Sequence, residues 1–218
     1  MSSLPLLITG NPEQASEVTF VLSEMIGEGG DRECWRHPAN RSLCIKVAKP
    51  APERLQNDID FHYGKHLARR NIFGPHLTRV YGWVETNRGR GLVLELAQQP
   101  DGTPCTQLPD ALRTGQLTQA EASALICEAF DWLIARNVIL ADYGVNNFLV
   151  RRSPLGSYHL VFVDGLGARH FGLKYWSRRV FGFLARRKTR QFRQKALRML
   201  EDKSSKLWIM QKPHRLKG

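Results

Sequence analysis

The sequence predicts an α+β protein of two lobes, a β-rich first half and a reduced, mostly helical second half. Three observations carry this. Apolar, β-branched runs of strand length are concentrated before residue 98. A polar connection containing Pro and Gly, Gln98 to Pro104, then interrupts the pattern. A strong helical signal opens beyond it at Thr118. The expected lobes are residues 1–98 and 99–218.

Val18 to Ile26 is apolar and partly β-branched and stops at Gly27-Glu28-Gly29-Gly30, which reads as a strand entering a tight glycine turn. Ser42 to Val47 reads as a second strand, ended by Pro50 and Pro52. Glu53 to Arg70 contains no proline, and Ile59, Tyr63 and Leu67 recur four residues apart, so a helix with one buried face is expected. Val80–Glu85 and Leu92–Ala97 read as a strand pair joined through Thr86 to Gly91. In the second half, Thr118-Gln119-Ala120-Glu121 has the form of a capping box, followed by helical spacing up to about Arg136. Three short apolar segments follow: Val138–Leu140, Phe148–Val150 and Leu160–Val163. The last runs into Asp164-Gly165.

Composition narrows the classes. With 42% hydrophobic and 24% charged residues, the chain has enough apolar material for a packed core. No apolar run approaches the roughly 18 residues that span a bilayer. The segment Met1 to Ile8 has no basic n-region, so the expected location is cytoplasmic. Cys34, Cys44, Cys105 and Cys127 are scattered with no C-x-x-C pair, which favours reduced thiols over a zinc or redox motif. His62 and His66 have metal-compatible spacing on a helix but no third ligand, and read as surface or packing residues. The net charge of +12 is uneven. Residues 169–218 hold 16 of the 32 Lys and Arg but only two acids, Glu201 and Asp202, giving that segment about +14 and the remainder about −2.

The most informative stretch is Asp142-Tyr143-Gly144-Val145-Asn146-Asn147, directly ahead of the apolar run Phe148-Leu149-Val150. Asp164 ends the next run. A hairpin of these two strands brings Asn147 and Asp164 side by side, where an amide oxygen and a carboxylate can share Mg²⁺. Asp142 then lies just outside the metal, close enough to take a hydroxyl proton. Taken alone, Asp142 is equally a turn cap and Asn147 a loop-backbone partner. Gly27–Gly30 alone suits any hairpin, and Lys46 alone suits a solvated strand end. The order of all four elements gives the pattern its meaning.

That order resembles the protein-kinase superfamily over roughly residues 18 to 170. Asp142 and Asn147 match its catalytic loop, and Asp164-Gly165-Leu166-Gly167 is similar to D-F-G. Leu43-Cys44-Ile45-Lys46 is similar to V-A-I-K, and Gly27-Glu28-Gly29-Gly30 stands where the glycine-rich loop belongs. Within the superfamily the chain resembles the small bacterial YrbL family of PhoP regulatory network proteins. That likeness rests on Ile26–Gly30 to Cys34-Trp35-Arg36-His37-Pro38, on Cys44-Ile45-Lys46-Val47 and on the short basic tail. The resemblance implies a bilobal protein-kinase-like fold and an ATP- and Mg²⁺-dependent phosphotransferase. It implies that Lys46 contacts the α/β-phosphates, paired with a helix acid. Asp60 is the first choice for that acid, with Asp58 and Glu53 open. Backbone amides of Gly27, Gly29 and Gly30 would cover the phosphates, Glu95 and Ala97 would bond adenine through backbone, Asn147 and Asp164 would hold Mg²⁺, and Asp142 would act as catalytic base.

The departures are specific. Leu140-Ala141-Asp142 replaces H-R-D, Gly144 stands where a lysine steadies the γ-phosphate in Ser/Thr kinases, Gly165 replaces the D-F-G phenylalanine, and Arg32 replaces the third loop glycine. No A-P-E follows, and about fifty residues after Asp164 leave no room for an ordinary peptide-substrate platform. These changes weigh against a protein acceptor more than against nucleotide binding, and sugar, lipid and protein all stay open. The alternative function is a catalytically weak module that senses nucleotide or an anionic partner. Segment 172–218 carries two amphipathic stretches, Trp176/Val180/Phe183/Leu184 and Phe192/Ala196/Met199/Leu200, amid many arginines. They suit either final helices packed apolar face inward or attraction to an anionic membrane, glycolipid or sugar phosphate, peripheral to an inner membrane face. Nucleic acid ranks lower, since no RRM, KH or helix-turn-helix signature is present.

Overall fold

The computed structural model describes residues 19–50, 55–168, 172 and 181–202. The chain divides into two compact units, one of residues 1–71 and 78–96, the other of residues 72–77 and 97–218. The fold is α+β, a β-rich unit followed by one in which helices pack on a small sheet.

The first unit is a six-stranded mixed sheet in the order β1-β5-β6-β4-β3-β2, with helix α1 (Gln56–Arg69) packed on it. Strands β1 (Thr19–Phe20) and β2 (Met25–Glu28) lie on opposite edges, although the sequence reads as one run through both. The run breaks at Val21–Glu24 because the chain must travel from one edge to the other, and Leu22 is buried in the core as it crosses. This corrects the single strand expected from Val18 to Ile26; Val18 lies outside the described residues. β4 (Leu43–Ala48) and α1 agree with the sequence, and Ile59, Tyr63 and Leu67 form the buried face of α1. Burying each such side chain stabilises the fold by about 1.5–3 kcal/mol. The strands β5 (Val80–Thr86) and β6 (Gly89–Glu95) reach further into the turn than the sequence suggests and leave only Asn87-Arg88 between them, while β6 stops at Glu95, short of the expected Ala97. Gly89, at φ +95°, permits this tight return.

The sequence reading missed β3 (Arg32–Arg36), because Arg32-Glu33-Cys34-Trp35-Arg36 looks too charged for an interior strand. Both arginines are nonetheless buried. Arg36 meets Glu24 at 2.7 Å and Arg32 meets Asp60 at 2.5 Å. Paired charges can occupy positions that unpaired ones cannot.

In the second unit, α3 (Gln119–Ala135) begins with the expected capping box. The Thr118 hydroxyl accepts the Glu121 N–H, and the Glu121 carboxylate accepts the Thr118 N–H. Strands β7 (Thr106–Gln107), β8 (Phe148–Arg152) and β9 (Tyr158–Phe162) form the small sheet. The short helix α2 (Leu108–Arg113), unread in the sequence, begins directly after β7. Phe130, Phe148 and Phe162 meet edge to face in the core, with centroids 4.8–5.9 Å apart.

Helix α4 (Gly182–Glu201) packs on α3 through Ala185, Thr189, Phe192, Ala196 and Leu200. The second expected stretch lies on this stripe at Phe192, Ala196 and Leu200, with Met199 half-buried. The first departs from it at Phe183, which stands two residues before Ala185, about 200° round the helix, and is 60% exposed. Trp176 and Val180 lie outside the described residues, as does Glu53. Among the described residues, no helix is long and apolar enough to cross a membrane.

Candidate functional site

The β8–β9 hairpin starts at the pair Phe148↔Phe162, so the residues just outside it, Asn147 and Val163, also meet. The Val163 N–H donates to the Asn147 carbonyl at 3.2 Å, and Asp164 follows one residue on. Asn147 ends a single 3-10 turn, Val145–Asn147, whose last N–H bonds the Gly144 carbonyl at 2.9 Å. The side chains of Asn147 and Asp164 are thereby carried at the same end of one hairpin, both half-buried.

Asp142 reaches that end through a second set of backbone bonds. Segment 139–142 runs beside segment 164–167. The Gly167 N–H donates to the Ile139 carbonyl at 2.9 Å, Leu140 bridges Leu166, and the Ala141 N–H donates to the Gly165 carbonyl at 2.7 Å. Gly165 has φ +76°, and a Cβ there would stand 2.7 Å from the Asp142 Cβ. This gives a physical reason for glycine where the resemblance suggests phenylalanine: both the backbone angle and the closeness of Asp142 exclude a side chain. The Asp142 carboxylate accepts the Gly144 N–H at 3.0 Å, and the Asp164 carboxylate accepts the Gly165 N–H at 2.7 Å. Each acid is thus oriented by its own loop backbone. Tyr143, between them in sequence, stacks on Phe192 of α4 at 4.9 Å, with the Lys195 ammonium 5.3 Å from the Tyr143 ring. Nothing in the local residue pattern signals that α4 braces this loop.

Amide and carboxylate oxygens are the donors that a hard cation takes, and Mg²⁺ commonly uses one or two protein carboxylates and keeps several waters. The donor set of Asn147 and Asp164 therefore fits Mg²⁺. Among the described residues, no group of three or more His, Cys, Asp and Glu forms a site for a softer or more demanding metal. Among the described residues, the four cysteines form no disulfide.

In the first unit, Lys46 lies on β4 opposite Cys34 of β3 and Leu92 of β6, half-buried. Asp60 is buried on α1. Its carboxylate accepts from Arg32 Nη1 at 2.5 Å and from Gln56 Nε2 at 3.1 Å. Asn57, one turn earlier on the same helix, accepts from Arg32 Nη1 at 3.0 Å and donates to the Lys46 carbonyl at 2.9 Å. Asp58 is half-buried in the first turn of the same helix. The glycine turn is closed by the Gly29 N–H on the Arg32 carbonyl at 2.8 Å. A Cβ at Gly27, Gly29 or Gly30 would meet no atom closer than 3.6 Å, whereas one at Gly91 would stand 2.3 Å from Ile45. Packing in this unit accounts for Gly91 but leaves the turn glycines unexplained. Glu95 ends β6, its N–H bonded to the Arg79 carbonyl at 2.8 Å, and Ala97 is buried at the start of the second unit. Arg32, Asn57 and Gln56 were not read as site residues; their polar periodicity is that of ordinary surface positions.

Comparison with known proteins follows from this geometry. The family model for the PhoP regulatory network protein YrbL matches residues 19–200. The chain belongs to the YrbL family. It is 25% identical to the YrbL protein of Escherichia coli (strain K12) over 146 residues, which is 65% of this chain and 70% of that protein. The YrbL protein of Shigella flexneri matches to the same extent. Among solved structures, the chain is similar to a PknI kinase domain of Mycobacterium tuberculosis (C20A_R136A double mutant), at TM-score 0.42 and 16% identity over 66% of this chain. The match spans 57% of that kinase domain. It is also similar to Rad53 1-466 in complex with AMP-PNP, at TM-score 0.44 and 14% identity, covering 66% of this chain and 38% of that one.

Proposed function

We propose that this member of the YrbL family is an ATP- and Mg²⁺-dependent phosphotransferase. The observation that supports this most is the backbone pairing of segments 139–142 and 164–167 beside the β8–β9 hairpin. It brings one acid, Asp142, close to an oxygen-donor pair, Asn147 and Asp164. In this reading Asn147 and Asp164 would hold Mg²⁺, which would supply the positive charge that neutralises the phosphates. Asp142 accepts the proton of the acceptor hydroxyl, oriented for it by the Gly144 N–H. Lys46 supplies a fixed positive charge to the phosphates, and Gly27, Gly29 and Gly30 give their backbone close access to them. Their freedom from packing demands agrees with a ligand as the reason for glycine. Glu95 and Ala97 offer backbone groups to adenine.

The test is release or transfer of the γ-phosphate from radiolabelled Mg·ATP. Turnover abolished by Asp142→Ala, with nucleotide binding retained, is the expected result. Nucleotide binding with no turnover in the native protein would leave the second reading, a sensing module.

That second reading has its own support in α4. Phe181 and Phe183 are 52% and 60% exposed, and Arg186, Arg187 and Arg190 are exposed just beyond them. Aromatic rings beside arginines suit an anionic surface such as a membrane or glycolipid, each basic residue adding about 1 kcal/mol near anionic lipid. A sugar or lipid acceptor held near such a surface would unite the two readings.

A further inference from the structure

Side chains of Arg32, Cys34 and Lys46 share one face of the sheet. Cys34 stands directly opposite Lys46 in the β3–β4 register, and Arg32 is two residues from Cys34 on the same strand. Arg32 and Lys46 are therefore diagonal neighbours across two adjacent strands, a separation that long side chains span. Arg32 also links the glycine turn to α1. Its carbonyl accepts the Gly29 N–H, and its guanidinium reaches Asp60 and Asn57 on α1. Asn57 in turn holds the Lys46 carbonyl. Two cations, one acid and the glycine turn thus form a connected group within the first unit.

We infer that Arg32 is a second phosphate-binding residue of the nucleotide site, positioned by Asp60 and Asn57 and acting beside Lys46. The inference rests on the nucleotide-site reading above and adds a residue to it. A guanidinium presents several N–H donors in a planar fork, so it can hold a carboxylate through one nitrogen and meet phosphate oxygens through another. At only 7% exposure and paired with Asp60, Arg32 is held in one geometry at the turn. Position matters as much as charge. In the resemblance, a glycine stands where Arg32 does, so an ordinary side chain at this place would crowd the phosphates. An arginine pulled back onto α1 leaves the turn open and keeps its charge at the rim. The ligand class is a nucleoside polyphosphate, recognised by phosphate count. The nucleoside itself contributes nothing to the Arg32 interaction.

The experiment is calorimetric titration of Mg·ATP and of adenosine into the full chain, native and with Arg32→Gln, Arg32→Lys or Lys46→Met. Arg32→Gln is expected to weaken Mg·ATP at least tenfold and to change adenosine by less than twofold. Arg32→Lys, which keeps the charge but not the planar fork, is expected to recover part of the loss. Mg·ATP affinity unchanged in Arg32→Gln, with native binding intact, overturns the role of Arg32 alone. No binding of Mg·ATP or adenosine to the native chain overturns the nucleotide site itself. If Arg32→Gln does not fold, the Arg32 Nε–H resonance of the native protein decides. A shift with Mg·ATP and none with adenosine supports the inference, and no shift with either overturns it.

Discussion

The Gly165 carbonyl accepts the Asp142 N–H at 3.3 Å and the Ala141 N–H at 2.7 Å. One peptide group thus fixes the segment that carries the proposed base to the segment that carries the proposed metal ligand. The arrangement needs a left-handed backbone at Gly165 and no Cβ beside Asp142.

Gly165→Ala should accordingly destabilise the second unit by about 1–3 kcal/mol, since both a strained φ and a close contact would be imposed. Chemical denaturation measures this. A change within error of zero would show that the segment relaxes without cost. Gly165→Phe, which restores the residue the kinase resemblance suggests, should be worse than alanine.

The Arg32–Asp60 pair is buried at both ends, with side chains 7% and 9% exposed. Removing one partner leaves an uncompensated buried charge. Arg32→Met and Asp60→Leu should therefore each cost about 3–5 kcal/mol, while the double variant costs clearly less than the sum of the two. Urea denaturation of the four proteins gives the coupling. Additive losses would mean that the two charges do not stabilise one another.

Stability should fall in mild acid for a reason located at His76 and His159, whose rings meet edge to face at 6.1 Å. Burial pushes His159 down to about 4, with His76 and Arg151 acting in the same direction. Burial also holds His76 below its ordinary value. The Leu160 carbonyl, 2.7 Å from its Nδ1, and Glu128 act against that shift, while Arg136 acts with it. Trp132 covers another edge of the His76 ring at 5.6 Å. Both rings bind a proton more readily in the unfolded chain. Their contribution is complete above the ordinary value of 6.5 and is lost as pH falls from there through about 4. Denaturation midpoints between pH 7 and 4.5 should decline less in His159→Gln than in the native protein. Parallel curves would remove His159 as a cause.

Much of this was legible in the sequence where local chemistry and packing agree. The Thr118 capping box, the Ile59/Tyr63/Leu67 face and the order of Lys46, Asp142, Asn147 and Asp164 depend on short-range pattern, which residue spacing records. The missed features depend on distant partners. β3 was hidden because Arg32 and Arg36 are neutralised by Asp60 and Glu24, which no local window reveals. The break between β1 and β2 reflects the need to reach opposite sheet edges, a matter of topology. Hydrophobic spacing leaves Phe183 either inward or on an outer surface, and the stripe from Ala185 to Leu200 puts it on the other side of α4.

The nucleotide-site assignment is tested most directly by the melting temperature of the full chain with and without millimolar Mg·ATP, native and Asp164→Ala. Saturating ligand should raise the native midpoint by roughly 5–11 °C, as expected for a ligand at about a hundred times its dissociation constant. Asp164→Ala should lose most of that rise, and Asp142→Ala should keep it. A native protein with no shift, or an Asp164→Ala variant that shifts as much as the native one, would contradict the assignment.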